Sequence, residues 1–330
     1  MSFDLTEGEE TITLPSRFLT LDPEEPLYTP APKVKAKSKP SQKQRVAQVT
    51  ETAKAATDEL DITYTPARYE TIWLRDSLQT FFVQAMIDDV LALVKGGKEA
   101  NVYMCQAAYR ADVPLVAAKV YRPRQFRNLR NDATYREGRE MIGPQGGTIK
   151  NRNNREMRAI GKKTTFGAEL THISWLMHEF LTLKRLYDIG AAVPKPLVAG
   201  ENAILMEFIG DRGRPAPVLH SVTLPRPEAA RHFDEVLHNV ELMLCRGMIH
   251  GDLSAYNILY WEKKVTLIDF PQVTLSETNH AAFRILERDI RRVCEYFALQ
   301  CVVHDGPDIA RSLWQRCVGL PETRTIQDAV

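Results

Sequence analysis

Apolar positions along the chain fall into two periods, and their order outlines the fold. Residues 113–121, Val-Pro-Leu-Val-Ala-Ala-Lys-Val-Tyr, form a β-rich run broken by one charge, Lys119. Before it, residues 89–94 and 101–105 read as two strands joined by Lys95-Gly96-Gly97-Lys98-Glu99-Ala100, a glycine turn of the kind that closes hairpins. Helical spacing takes over elsewhere: Leu74, Leu78, Phe81 and Phe82 within 69–84, and Leu176, Phe180, Leu183 and Tyr187 within 172–188, form apolar stripes on one side of a helix. Further on, 258–260 and 265–268 are short strands flanking the polar turn Trp261-Glu262-Lys263-Lys264, and helices are expected over 279–294 or beyond and near 308–317. Strands and helices in this mixture predict an α+β protein.

Two segments in the second half carry chemistry. His250-Gly251-Asp252-Leu253-Ser254-Ala255-Tyr256-Asn257 is followed by Leu267-Ile268-Asp269-Phe270, with Asp269 twelve residues after Asn257. Phosphoryl transfer from a nucleotide needs such a set: one carboxylate free of metal to steer the nucleophile, and hard oxygen ligands for cations that bridge the phosphates. Asp252 suits the first role, and Asn257 and Asp269 suit the second. A surface hairpin carrying two Asp and one Asn by chance is the plainer alternative.

If ATP binds, a cation should reach its phosphates from a buried strand, and Lys119 stands where such a cation would be. A lysine in that setting is costly to desolvate unless paired, and Glu179 on the 172–188 helix is the expected partner. Singly, Lys119 could be a strand-edge lysine with its head in water, and Glu179 a solvated helix residue. The turn at 95–100 supplies Gly97, whose backbone can approach an anion, and Lys98, which adds charge. No Walker lysine motif and no full G-x-G-x-x-G is present. The order of turn, lysine strand, helix and metal motifs gives the separate pieces their weight.

Gly97-Lys98-Glu99-Ala100-Asn101-Val102-Tyr103, the run 250–260, Ile268-Asp269-Phe270-Pro271-Gln272, and Met206-Glu207-Phe208-Ile209-Gly210 followed by Pro215-Ala216-Pro217 together resemble the RIO family of atypical serine/threonine protein kinases, over roughly residues 67–300. The resemblance implies a two-lobed, protein-kinase-like fold. It implies Asp252 as catalytic aspartate, Asn257 and Asp269 as metal ligands, and Lys119 with Glu179 as the lobe pair. Glu207 to Ile209 would be the hinge whose backbone meets adenine. Asp269 can also accept phosphate in this family and is therefore a second catalytic candidate. The implied cofactors are ATP and Mg2+, with Mn2+ as an alternative ion. Departures exist: Lys95-Gly96 stands where Ser-Thr is usual, Ala255 replaces an acid, and Asp-Phe-Pro-Gln is typical of another branch. Trp175, four residues before Glu179, and the lack of a visible amino-terminal winged helix favour the first branch.

Only 61 residues follow Asp269, and no Ala-Pro-Glu segment occurs among them. The carboxy-terminal lobe is therefore expected to be truncated, with little room for a peptide groove. That suits ATP hydrolysis, autophosphorylation or action on a large docked partner. Two other functions stay open: a small-molecule phosphotransferase of the aminoglycoside or choline kinase type, and a catalytically idle RNA-binding scaffold.

The net charge of +1 hides two basic regions. Residues 30–45 hold Lys33, Lys35, Lys37, Lys39, Lys43 and Arg45 with no acid, and read as a disordered arm. Residues 121–165 carry twelve Lys or Arg against four Asp or Glu, and are expected to be a flexible loop. Both would favour RNA or a ribosomal particle through counterion release, or be merely solvated. The expected division is a mostly disordered arm over 1–66, an amino-terminal lobe over 67–206 and a carboxy-terminal lobe over 207–330. No run is apolar over membrane length. Cys105, Cys245, Cys294, Cys301 and Cys317 are scattered with no C-x-x-C pair, which predicts free thiols and a cytoplasmic protein. Oligomeric state is not legible.

Overall fold

The structure, a computed structural model, describes residues 62–67, 70–108, 113–122, 141–143, 146–149, 155–162 and 164–319. The basic segment 30–45 and most of 121–165 lie outside the described residues. The chain folds as two lobes of α+β type with a kinase-like arrangement.

The amino-terminal lobe is a five-stranded antiparallel sheet in the order β1-β2-β3-β5-β4, built from β1 (Ile87–Gly96), β2 (Ala100–Ala107), β3 (Leu115–Tyr121), β4 (Pro196–Ala199) and β5 (Ala203–Glu207). The apolar stripe of 69–84 forms helix α1 (Glu70–Val83), whose Leu74, Leu78 and Phe81 are buried against Val90, Tyr103, Val116, Ala118 and Val120 on one sheet face. The opposite face takes helix α3 (Thr165–Asp188) through Trp175, Leu176 and Phe180, which pack on Tyr121 and Ile204. This helix begins seven residues before the expected start at 172, because the Thr164 hydroxyl accepts from the Gly167 amide at 3.1 Å and caps it. Its expected stripe ends early: Tyr187 is 40% exposed, while Leu183 and Leu186 enter the carboxy-terminal core.

Within the basic stretch read as a flexible loop, the structure differs where it describes the chain. Ile142 bridges Thr148, and Arg155–Gly161 is a helix, α2. The Ile142 amide donates to the buried Ser174 hydroxyl at 2.9 Å, tying this segment to α3.

A short hairpin of β6 (Gly210–Asp211) and β7 (Arg214–Pro215) follows β5 at the passage between lobes. The carboxy-terminal lobe then contains helix α4 (Arg226–Leu244), two small sheets, α5 (Ala282–Ala298) and α6 (Gly306–Cys317). Those sheets pair β8 (Met248–Ile249) with β11 (Thr274–Leu275), and β9 (Ile258–Trp261) with β10 (Lys264–Leu267). Helix α4 was not among the expected elements. Its stripe of Phe233, Val236, Val240 and Met243 has helical spacing, but His232 and Asn239 are buried on the same helix and dilute it. Asn239 is buried because its carboxamide oxygen accepts from the Ala192 amide at 2.6 Å. The short strand before Asp269 follows a two-residue turn in which Glu262 and Lys263 both have positive φ, the geometry of a tight hairpin. After Asp269 the described residues form β11, α5 and α6.

Five free thiols were expected, and that expectation is corrected. Cys245, at the end of α4, is bonded to Cys317, at the end of α6, across 72 residues. Spacing along the chain could not reveal the pair, because packing of α6 on α4 brings the two ends together. The bond also removes the cysteine argument for a reducing compartment. Closing so long a loop is expected to contribute about 2–4 kcal/mol. Urea titrations with and without reductant should differ by that much, and Cys317→Ser should behave like the reduced protein under both conditions.

Among the described residues no helix is long and apolar enough to cross a membrane.

Candidate active site

The alternation of β3 decides which side chains reach the space between the lobes. Val116, Ala118 and Val120 point toward α1, so Ala117, Lys119 and Tyr121 point the other way and line a cleft of about 730 Å3. Gly97, Lys98, Lys119, Glu179, Glu207, Ile209, Asp252 and Asp269 all border this cleft. Groups as far apart in sequence as the glycine turn and the Asp269 loop are thus brought to one place.

At its centre the Lys119 ammonium bonds Glu179 Oε1 and, at 2.5 Å, Asp269 Oδ1. The second oxygen of Glu179 accepts from the Tyr121 hydroxyl at 2.6 Å, and Tyr121 packs edge-on against Trp175 with ring centroids 4.8 Å apart. Burial works against the charge on Lys119, yet the carboxylates of Asp269 and Glu179 outweigh it and hold its pKa above the ordinary lysine value. Burial likewise opposes ionisation of Asp269, but the Lys119 charge and hydrogen bond, with help from His250 and Lys95, keep its pKa below the usual carboxylate range. Asp269 has φ 73°, a left-handed backbone that costs a non-glycine residue about 1 kcal/mol or more. That turn, just beyond β10, aims the carboxylate back at the cleft rather than along the strand.

The loop before β9 carries Asp252. Its Oδ1 accepts from Arg292 at 2.8 Å, and Oδ2 accepts from the Asn257 amide nitrogen at 3.3 Å. That nitrogen also donates to the Asp252 carbonyl at 2.8 Å, which leaves the Asn257 carboxamide oxygen for a cation. Asn257 is buried and stands behind the cleft lining rather than on it. His250 fixes the loop: Nε2 bonds the Ile268 carbonyl at 3.1 Å and Nδ1 accepts from the Asp252 amide at 3.3 Å, which requires the tautomer with its proton on Nε2. Gly251 has φ 85°, and a β-carbon there would collide with the Gln272 backbone, so only glycine fits.

Helix α5 supports this loop with residues that the sequence motifs did not single out. Buried Asp289 accepts from the Gly251 amide at 2.8 Å, and Arg288 donates to the Gly251 carbonyl and, at 2.9 Å, to Asp289. Burial raises the Asp289 pKa despite the charge and hydrogen bond of Arg288. The signal was present: Asp289 interrupts the apolar face of Ile285, Leu286, Ile290 and Val293, and a charge on such a face needs a partner.

The residues fit a magnesium nucleotide. Asn257 and Asp269 offer two oxygen ligands, the number Mg2+ takes from protein when phosphates and water supply the rest. Gly97 has space for no side chain, since a β-carbon would lie 2.5 Å from the Ala100 carbonyl oxygen, and its amide donates to the Asn101 carboxamide oxygen at 3.3 Å. Val94, Val102, Ala117, Met206, Leu259 and Ile268 give the cleft two apolar walls of the kind that sandwich a planar base. At the hinge, the Glu207 amide is already used by the Lys195 carbonyl at 2.8 Å, and the Ile209 carbonyl accepts from Ala216 at 2.9 Å. The Glu207 amide, a single donor, is therefore spent, while the Ile209 carbonyl keeps a second lone pair.

Residues 147–306 match the model of the RIO domain. The chain is similar to the RIO-type serine/threonine-protein kinase Rio1 of Haloferax volcanii, 31% identical over 222 residues covering 66% of each chain. It is 32% identical over 137 residues to the kinase of the same name from Thermoplasma acidophilum, covering 42% of this chain and 70% of that one. The serine/threonine-protein kinase RIO1 of Chaetomium thermophilum is 30% identical over 226 residues, 64% of this chain and 40% of that one.

The chain belongs to the RIO family.

The chain spans 66% of the Haloferax relative and 40% of the Chaetomium one. The matched RIO domain takes in Glu179, Asp252, Asn257 and Asp269, whereas the glycine turn and Lys119 precede it. For those two, geometry carries the assignment: Lys119 meets Glu179 and Asp269 directly, and Gly97 borders the same cleft.

Proposed function

We propose that this protein is a RIO-type atypical serine/threonine kinase or ATPase, transferring the γ-phosphoryl group of Mg-ATP to a serine, to itself or to water. One observation carries the reading: Lys119 stands between Glu179 and Asp269 in a cleft that Asp252 also borders. Bound Mg-ATP would supply the transferable phosphoryl group and the cations that offset its charge. Lys119, held ready by Glu179, would orient the phosphates. Asn257 and Asp269 would hold the metal, with Mn2+ able to replace Mg2+. Asp252 would accept or steer the proton of the attacking hydroxyl or water. Asp269 has a second proposed role as acceptor of the phosphoryl group.

The reading includes hydrolysis, autophosphorylation or action on a large docked partner rather than turnover of free peptides. Location in the cytoplasm, and RNA or ribosomal particles as partners through the basic segments, belong to the same proposal. The test measures phosphate release from ATP by the full chain alone, with RNA, with ribosomal subunits and with amino-alcohols. Stimulation by ribosomal subunits or RNA supports the reading. Transfer to an amino-alcohol would make the protein a small-molecule phosphotransferase, and absence of ATP binding by calorimetry would leave an idle scaffold.

A further inference from the structure

The cation on the catalytic carboxylate is unexplained by nucleotide chemistry. Arg292 bonds Asp252 Oδ1 at 2.8 Å, yet the cleft lining includes Asp252 and none of the α5 arginines. Arg292 therefore meets Asp252 from outside the nucleotide space. It is not alone there. Arg284, Arg288 and Arg292 recur every four residues on α5, which aligns them along one flank of the helix beside the loop that holds Asp252. Arg284 is exposed, Arg288 is spent on Gly251 and Asp289, and Arg292 is 37% exposed.

The geometry points to this flank as an acceptor-recognition surface that selects a serine flanked by acidic residues. The inference rests on the kinase reading above and adds the class of acceptor. With both Asp252 oxygens engaged by Arg292 and Asn257, an incoming hydroxyl competes with those donors for the carboxylate charge. A carboxylate next to the acceptor serine gives Arg292 a replacement partner, so the hydroxyl gains Oδ1 without leaving a guanidinium unpaired. Acidic residues further along the segment would meet Arg284. A protein segment fits better than RNA, because Asp252, Glu287 and Glu295 interleave negative charge with the arginines and a continuous polyanion would be repelled by them. Arg292 is thus a specificity-determining residue.

The test is equilibrium binding of fluorescein-labelled peptides to the full chain without nucleotide, at low ionic strength. One peptide carries a serine flanked by Asp and Glu, and the other carries Asn and Gln instead. The acidic peptide is expected to bind about tenfold tighter. Arg292→Gln and Arg284→Glu should each erase that preference while leaving the amide peptide unchanged. Asp252→Ala, which frees Arg292, should strengthen binding of the acidic peptide. Equal binding of both peptides, or a preference that survives Arg292→Gln and Arg284→Glu, overturns the proposal. So does a uridine oligonucleotide that displaces the acidic peptide and shows the same arginine dependence. Because no ATP is present, failure here is separate from failure of the ATP assay.

Discussion

Asp252→Asn is expected to lower phosphoryl transfer by about 10²- to 10⁴-fold, the range for loss of a positioned proton acceptor, while ATP affinity stays within about threefold of the parent. The split follows from the site. Asp252 borders the cleft, but Lys119, Asn257 and Asp269 are the groups proposed to engage phosphate and metal. An amide in place of the carboxylate keeps the size of the side chain and its carbonyl contact with Arg292, and loses the ability to take a proton. Calorimetry with Mg-ATP and single-turnover transfer, measured on the same preparation, separate binding from chemistry. Turnover equal to the parent would mean that Asp252 is not the group that handles the nucleophile's proton. Weak nucleotide binding with unchanged single-turnover transfer would assign it to the metal instead.

Lys119→Met should cost stability as well as nucleotide binding. Glu179 is 4% exposed at its side chain and Lys119 is 11% exposed, so removing the ammonium strands a buried carboxylate with the Tyr121 hydroxyl as its remaining donor. Breaking a buried pair from one side typically costs about 3–5 kcal/mol. Asp269, 42% exposed at its side chain, can recover water and adds little to that loss. Lys119→Met with Glu179→Gln should regain most of the stability and none of the ATP affinity. Urea unfolding of the two single variants and the double variant gives the coupling energy. A single variant as stable as the parent would show that Glu179 is solvated or protonated in the folded protein.

Much of the amino-terminal sheet and of the reacting loop is legible in the amino-acid sequence. The β-rich run at 113–121 and the isolated charge of Lys119 locate the strand that faces the cleft. The spacing of Asp252, Asn257 and Asp269 is legible because it is local: one loop and one hairpin set those distances. Helix α4 escapes because burying His232 and Asn239 on its packed side blurs the stripe that periodicity reads. Helix α2 and the bridge between Ile142 and Thr148 escape because charge dominates that stretch, and charge reports solvation better than backbone shape.

The spacing of Asp252, Asn257 and Asp269 and the α+β class follow from residue types at short separations, so the linear chain specifies both. How those groups pair is a matter of tertiary packing. Lys119 chooses Glu179 and Asp269, 60 and 150 residues away, and Cys245 meets Cys317. Arg292 caps the Asp252 carboxylate from 40 residues away. Such contacts are fixed by how helices and sheet pack against a common core. That packing depends on all the buried side chains together, so no short stretch of residues encodes it.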